Sequence, residues 1–145
     1  MKKFLSIIVA VSAILTSCEM HDSDNENLDG YWYLTRIDTI ATGGVNEYRG
    51  QRVFWSFQGS LLQMNRVEID CYYMASFSHK GNELVVEHPY LYDRNNGGYY
   101  IADETMYEIK PFGLNSIKES FTLKTLDDHN MVLDNGKFRL CFERY

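Results

Sequence analysis

Four tyrosines surround a sharp predicted turn in the second half of the chain. Tyr90 and Tyr92 precede the turn Asn95-Asn96-Gly97-Gly98, and Tyr99 and Tyr100 follow it. A tyrosine joins an apolar ring to a polar hydroxyl, which suits contact with a small apolar ligand, a glycan fragment or a protein. Ring packing across the hairpin, which stabilises any pair of strands, explains the same pattern. We therefore predict ligand binding at these four tyrosines, with simple hairpin packing as the alternative.

The histidines and the acidic pairs do not form a catalytic or metal-binding pattern. The four histidines are His21, His79, His88 and His129. None of them pairs with another at the spacing of metal ligands, and none neighbours a cysteine, so no metal is predicted. The acidic pair Asp127-Asp128 lies in a turn, where aspartate is favoured for backbone reasons. The sequence contains no serine-nucleophile, zinc-protease or phosphate-loop motif. We predict no catalytic residue, no cofactor and no enzymatic activity.

The first 17 residues are typical of a secretory signal peptide. Lys2 and Lys3 give a positive start, and residues 4–15 carry no charge. An uncharged run of about a dozen residues is too short to span a bilayer, which takes roughly 20. A small-residue exit, Thr16-Ser17, follows. A short buried helix is the alternative interpretation.

The exit of this segment carries a cysteine with its own chemistry. Leu15-Thr16-Ser17-Cys18 resembles the lipobox of bacterial lipoproteins, in which the cysteine thiol is acylated before cleavage. The resemblance implies a lipid on Cys18 that anchors the mature chain in the outer membrane of the cell envelope. The acidic residues that follow resemble the surface-export signal of lipoproteins from some Gram-negative gut anaerobes, which implies exposure at the cell surface.

Charge excludes two classes of partner. The chain has 14 basic and 20 acidic residues, and loss of Lys2 and Lys3 with the signal changes the net charge from −6 to −8. Nucleic acid needs lysine and arginine to neutralise its phosphates, so it is not a predicted partner. A polybasic lipid-binding patch is excluded in the same way, and the lipid itself must be the membrane anchor. We expect a monomer.

Residues 18–29 predict a disordered acidic tether, because they contain few apolar groups that could bury a core. Alternating acids from Asp22 onward suggest a calcium loop. Such a loop needs glycine at its sixth position and glutamate at its twelfth. The chain has Asn27 and Tyr33 there, so the calcium loop is rejected.

Residues 30–145 predict one all-β domain. Nine strands are expected, over residues 31–38, 52–58, 61–66, 67–78, 83–92, 99–102, 120–126, 131–134 and 138–145. Turn-forming residues such as Asn135-Gly136 separate them. Residues 103–110 predict one short helix that ends before Pro111. Many short strands in sequential order favour a single antiparallel up-and-down β-barrel of about eight strands.

Two segments of this domain resemble lipocalins. Gly30-Tyr31-Trp32 has the Gly-x-Trp pattern that opens the first lipocalin strand, and residues 131–145 resemble the closing hairpin of the lipocalin-like domains of gut-bacterial lipoproteins. The resemblance implies an eight-stranded barrel with a central cavity. It also implies structural roles for Gly30, Trp32 and Arg144, with Trp32 closing the barrel floor and Arg144 packed on its ring.

The sequence raises two further covalent modifications, a glycan and a disulfide. Asp38-Thr39-Ile40 resembles the O-glycosylation site of the same anaerobes, which implies a glycan on Thr39; an ordinary exit from a strand is the alternative. Cys71 and Cys141 remain after lipidation, but strand alternation places them on opposite faces. Two cysteines on opposite faces cannot reach each other, which opposes a disulfide unless a bulge reverses one of the faces.

Two function hypotheses follow. The first is a membrane-anchored binding module that holds a small apolar ligand or glycan fragment at one open end, between the 39–50 loop and the 95–98 turn. The second is an interaction or inhibitor module of the envelope, with a protein partner and a filled core. Small barrels occur in both forms. Many large inward residues, such as Trp55, Phe57, Tyr73 and Phe77, would favour the filled core.

Overall fold

A computed structural model describes residues 25–69 and 72–145, and the structural statements below refer to these residues. The strands are β1 (Gly30–Thr39), β2 (Gly44–Glu47), β3 (Val53–Gln58), β4 (Leu61–Arg66), β5 (Tyr72–Lys80), β6 (Glu83–Asp93), β7 (Gly97–Tyr100), β8 (Lys118–Leu126), β9 (Asn130–Asp134) and β10 (Phe138–Arg144). Short 3₁₀ helices cover Glu26–Leu28, Arg49–Gln51, Asp103–Glu108 and Lys110–Phe112. Within the described ranges, no helix has the length and apolar character needed to cross a membrane.

Eight of the strands close into an antiparallel barrel in the order β1-β3-β4-β5-β6-β8-β9-β10, and β10 pairs back onto β1. The up-and-down barrel predicted from the strand spacing is therefore confirmed. β2 pairs only with the second half of β1, and β7 pairs only with the last residues of β6. These two short strands extend the wall of the barrel at one end.

Alternation along the strands determines which side chains face inward. In β8, Glu119, Phe121 and Leu123 are buried while their neighbours are exposed, as expected for a strand with one face on a core. Tight turns at Gly81 and Gly136 have φ of 58° and 86°, a left-handed conformation that glycine adopts without strain. Alternation and tight turns together make consecutive strands antiparallel neighbours.

The two ends of the barrel have different covers. β1 starts at one end, here called the floor, where residues 25–29 and the C-terminus also lie. At the opposite, upper end, residues 101–114 cross the opening, and this segment is here called the plug. It carries five buried apolar side chains: Ile101, Met106, Ile109, Phe112 and Leu114.

Three details differ from the sequence-based expectation. β2 was not predicted, because all four of its residues are exposed and give no alternation. β5 begins at Tyr72, whereas a strand from Val67 was expected; Val67–Glu68 form a turn. The predicted tether overlaps the fold, since Leu28 is fully buried and the Asn25 side chain donates a hydrogen bond to the Gly59 carbonyl at 2.7 Å.

Candidate functional site

The floor is built around the three residues that the lipocalin resemblance singles out. The guanidinium carbon of Arg144 lies 4.3 Å from the ring centre of Trp32, a cation–π contact. The indole nitrogen of Trp32 donates to the Leu28 carbonyl at 2.8 Å. Arg144 donates to the backbone carbonyls of Asp29 at 3.0 Å and Asn27 at 2.5 Å. Gly30 has φ of 133°, and a Cβ at this position would overlap the Arg144 guanidinium. The floor is therefore closed, and these hydrogen bonds hold residues 27–29 against it.

The barrel interior is filled by large side chains. Trp32, Trp55, Leu62, Met64, Leu84, Met131, Leu133 and Leu140 have no accessible surface, and Phe57, Phe121 and Phe142 have 2%. A side chain that lined an internal void large enough for water would be accessible from inside. Zero accessibility therefore means that no such space adjoins these residues. They leave no room inside the barrel for a small apolar ligand. The lipocalin resemblance would place such a ligand in a central cavity.

The plug is part of this core. Phe112 is 1% exposed, and its ring centre lies 5.1 Å from that of Tyr73 on β5. The indole nitrogen of Trp55 on β3 donates to the Phe112 carbonyl at 3.0 Å. Gly113 packs so closely on Leu140 of β10 that a Cβ would clash with its side chain. Contacts to three separate strands tie the plug across the upper opening.

Two carboxylates form hydrogen bonds that hold the plug and the residue that follows it, Asn115. Glu108 accepts hydrogen bonds from the hydroxyls of Tyr99, at 2.8 Å, and Tyr73, at 3.1 Å. Glu119 on β8 accepts from the backbone N–H of Asn115 at 2.7 Å and from the Asn135 side chain. Burial raises the pKa of Glu119 by more than these hydrogen bonds lower it.

A bulge determines where the predicted tyrosines point. In β6, simple alternation would continue the inward face of Leu84 and Val86 through His88 to Tyr90 and Tyr92. His88 instead has φ of 55°, and the β5–β6 register shifts at this point. An extra residue in one strand reverses the faces beyond it. Leu91 now packs on the core, and the two tyrosines point outward.

The outward rings form one aromatic surface, here called the tyrosine face: Tyr72, Tyr90, Tyr92 and Tyr100. Tyr72 pairs directly with Tyr92 across β5 and β6, and Tyr90 pairs with Tyr100 across β6 and β7. The second pair is T-shaped with ring centres 5.1 Å apart. Tyr72, Tyr92 and Tyr100 are 37%, 44% and 69% exposed. Tyr99 is not part of this surface, since its hydroxyl bonds the plug.

A slot of about 230 Å³ opens beside the first pair, lined by Tyr72, Tyr92, Arg94 and Asn95. The adjoining turn is held by Asp93, whose carboxylate accepts from the backbone N–H groups of Asn95 and Asn96 at 2.8 and 3.2 Å. The Asn96 side chain also donates to it, and these bonds lower the pKa of Asp93. The slot therefore has a fixed rim.

A larger groove of about 510 Å³ runs along the outside of β1 and β10. Arg49 and Glu143 form an ion pair across it, and the Arg36 guanidinium donates to the Cys141 sulfur at 3.5 Å. Cys141 faces outward between buried Leu140 and Phe142. Burial raises the pKa of the Cys141 thiol, which keeps it protonated and a poor nucleophile.

The two predicted binding loops share the upper end of the barrel but not one side of it. β1 and β6 both run toward that end, so the turns that follow them lie there. In the closed order, these two strands are four positions apart in either direction, on opposite walls. The plug lies between them. The 95–98 turn thus belongs to the tyrosine face, and the 39–50 segment, which contains β2, does not.

The remaining predicted sites fall at the edge of the described chain or outside it. Cys18 and Cys71 lie outside the described residues. Thr39 is the last residue of β1, half-buried, and pairs with Phe138 and Gly44. Among the described residues, no three histidine, cysteine or acidic side chains gather as a metal site would require.

Comparison with known proteins gives three similar structures. A lipocalin-like protein from Bacteroides uniformis has a TM-score of 0.58 and 17% identity, covering 82% of this chain and 99% of its own. An uncharacterized protein from Bacteroides eggerthii has a TM-score of 0.57 and 16% identity, covering 81% and 99%. A protein from Burkholderia xenovorans, solved by NMR, has a TM-score of 0.51 and 21% identity, covering 81% and 83%. These likenesses establish the shared fold.

The family comparison covers almost the whole chain. No curated protein matches it. A family model described as a lipocalin-like domain matches residues 13–145. The family resemblance seen in the Gly-x-Trp segment and the closing hairpin is confirmed: this chain belongs to the lipocalin-like domain family.

Proposed function

We propose that the protein is a non-catalytic, envelope-anchored binding module that meets its partner on the outside of a filled barrel. The filled interior is the observation that carries this proposal. Trp32 and Trp55 have no accessible surface, and Phe112 from the plug completes the core. Recognition then falls to the outer surface, where the tyrosine face is an exposed aromatic area at the rim. Exposed aromatic rings grouped in this way are typical of binding surfaces.

A non-catalytic role is supported by what four carboxylates among the described residues do. Glu108 and Glu119 hold the plug, and Asp93 and Asp127 accept hydrogen bonds within turns. A catalytic carboxylate would face a cleft with its oxygens available to a substrate. These four are already engaged in holding the fold.

Anchoring through a lipid on Cys18 gives the barrel a direction. The chain enters at the floor, where Arg144 and Gly59 hold residues 25–29. Cys18 lies seven positions before Asn25, a reach of at most about 25 Å. The floor would therefore stay near the bilayer, and the tyrosine face at the upper end would point away from it. This orientation supports a role at the surface of the outer membrane.

The anchor is tested by a Cys18→Ala variant in the native bacterium. The account predicts loss of fatty-acid labelling and loss of the protein from the membrane fraction. Labelled fatty acid still present on the variant would contradict it. External protease then distinguishes surface exposure from a periplasmic position in intact cells carrying the unmodified protein.

The filled barrel is tested by titration with a fluorescent long-chain fatty acid. Because the interior has no space, we expect no saturable binding and no quenching of the two tryptophans. Saturable binding with one probe for each protein would show that the interior opens to ligand, and the proposed function would then be wrong.

A further inference from the structure

We propose that the slot lined by Tyr72, Tyr92, Arg94 and Asn95 is a subsite for an acidic saccharide, one whose sugar ring carries a carboxylate. The inference deepens the proposed function and depends on it. It requires recognition on the outer surface, and it names the chemistry of the partner.

The two rings provide the apolar part of the slot. Tyr72 and Tyr92 are direct partners across the β5–β6 ladder, where opposite rings ordinarily pack on each other. The ring pairs found among the described residues include Tyr90 with Tyr100 but not Tyr72 with Tyr92. Their side chains instead border an open slot of about 230 Å³. Flat rings beside an open space of this size suit the C–H face of a sugar ring.

Arg94 provides the charge. The chain has seven arginines, and its net charge is −6. Six of them have partners: Arg36 with Asp38, Arg49 with Glu143, Arg52 and Arg66 with Glu68, Arg139 with Asp134, and Arg144 with backbone carbonyls. Within residues 25–69 and 72–145, no acceptor for the Arg94 guanidinium is found. A guanidinium binds a carboxylate through two parallel hydrogen bonds, so Arg94 suits an external carboxylate.

The slot is fixed before any ligand arrives. Asp93 holds the turn that carries Arg94 and Asn95. Behind it, Gly98 lies so close to the Tyr90 ring that no side chain would fit there. A rim that is already ordered loses little conformational entropy on binding.

The shape favours a saccharide over a peptide. A bound peptide needs a long groove, or a free sheet edge along which its backbone can pair. Its described lining residues lie at the upper end of two strands that pair with each other, and not along a free edge of the sheet. Tyrosine hydroxyls, an asparagine amide and a guanidinium match the hydroxyls and carboxylate of a sugar.

The test measures binding of the purified protein to matched saccharides by calorimetry. The probes are oligosaccharides of galacturonic acid, glucuronic acid and sialyl-lactose, with the neutral counterparts galactose oligomer, glucose oligomer and lactose. The account predicts saturable binding of at least one acidic probe, tighter than its neutral counterpart. Arg94→Gln and Tyr92→Ala should each weaken it at least tenfold. Tyr107→Ala, which removes an exposed ring on the plug, is the matched control and should leave it unchanged.

Every other outcome overturns the inference. These outcomes are no binding of any acidic probe, equal binding of neutral and acidic probes, and binding that Arg94→Gln leaves intact. If Tyr92→Ala alters the unfolding midpoint, Arg94→Gln alone decides, because Arg94 is exposed. If neither an acidic saccharide nor a fatty acid binds, the saccharide subsite is wrong, but recognition on the outer surface is not contradicted. The two proposals therefore fail separately.

Discussion

The indole nitrogen of Trp55 donates a hydrogen bond to the Phe112 carbonyl, 3.0 Å away, and so joins the barrel wall to the segment that covers its upper end. Both side chains are fully or almost fully buried. A buried indole N–H without a partner would be costly, so this bond favours the plug in its closed position. The plug is therefore a structural part of the core and does not behave as a separate lid.

Phe112→Ala should destabilise the protein by about 3–5 kcal/mol, because it removes a buried ring and leaves a cavity. The Phe112 backbone carbonyl, which accepts the hydrogen bond from Trp55, remains in the variant. The loss of stability therefore measures the packing of the Phe112 ring. Urea unfolding followed by tryptophan fluorescence measures it. Tyr107→Ala, at an exposed position of the same segment, should change stability by less than about 0.5 kcal/mol. Equal midpoints for the two variants would show that the plug is not packed.

Gly30→Ala should cost about 1–3 kcal/mol, because φ of 133° is strained for alanine and its Cβ would displace Arg144. In an Arg144→Ala background, the cost of displacing Arg144 disappears and only the backbone strain remains. The double variant should therefore be more stable than the sum of the two single losses predicts. Strict additivity in urea unfolding would mean that Arg144 does not lie over Gly30.

Glu119→Gln should alter the pH dependence of stability. Burial raises the folded-state pKa of Glu119 above its ordinary value of 4.5, so its contribution is complete below about pH 4.5 and is lost as the pH rises through the folded pKa. The difference in unfolding free energy, wild type minus variant, should fall as the pH rises from about 4.5 into the weakly acidic range. A difference independent of pH over that range would contradict the assignment.

Thr39→Ala tests the O-glycosylation predicted from Asp38-Thr39-Ile40. The hydroxyl lies at the end of β1, half-buried beside Gly44, where the chain leaves the barrel. Intact-mass measurement of the protein from its native bacterium should show added glycan mass that the variant lacks. A mass equal to that of the lipidated polypeptide would exclude modification at this residue.

The sequence predicts most of the barrel because strand alternation and turn residues are local signals. The strand 61–66 is found with the predicted bounds. The Gly-x-Trp pattern that contains Trp32 indicated the lipocalin-like family, which the family comparison confirms. β2 escapes prediction because Gly44–Glu47 are all exposed and depend only on pairing with β1. The direction of Tyr90 and Tyr92 depends on the bulge at His88, a non-glycine residue with positive φ. No simple sequence pattern indicates such a bulge, and a shift of one residue reverses the face of the sheet on which these tyrosines lie.

The plug shows a different limit. Residues 103–110 were expected as one helix, and two short 3₁₀ helices are found, over Asp103–Glu108 and Lys110–Phe112. Their buried side chains face a barrel interior whose size no local pattern reveals. Arg94 is a related case, because its lack of an acceptor among the described residues appears only once the other six arginines are placed.

The central claim, a barrel with no internal space for ligand, is tested most directly by xenon-pressurised crystals. Xenon enters dry apolar cavities, which makes it a probe of internal voids. The account predicts no xenon site inside the wild-type barrel and one site at the vacated ring position in Phe112→Ala. Xenon bound between Trp32 and Trp55 in the wild-type protein would contradict the account, because it would show an internal cavity where a ligand could bind.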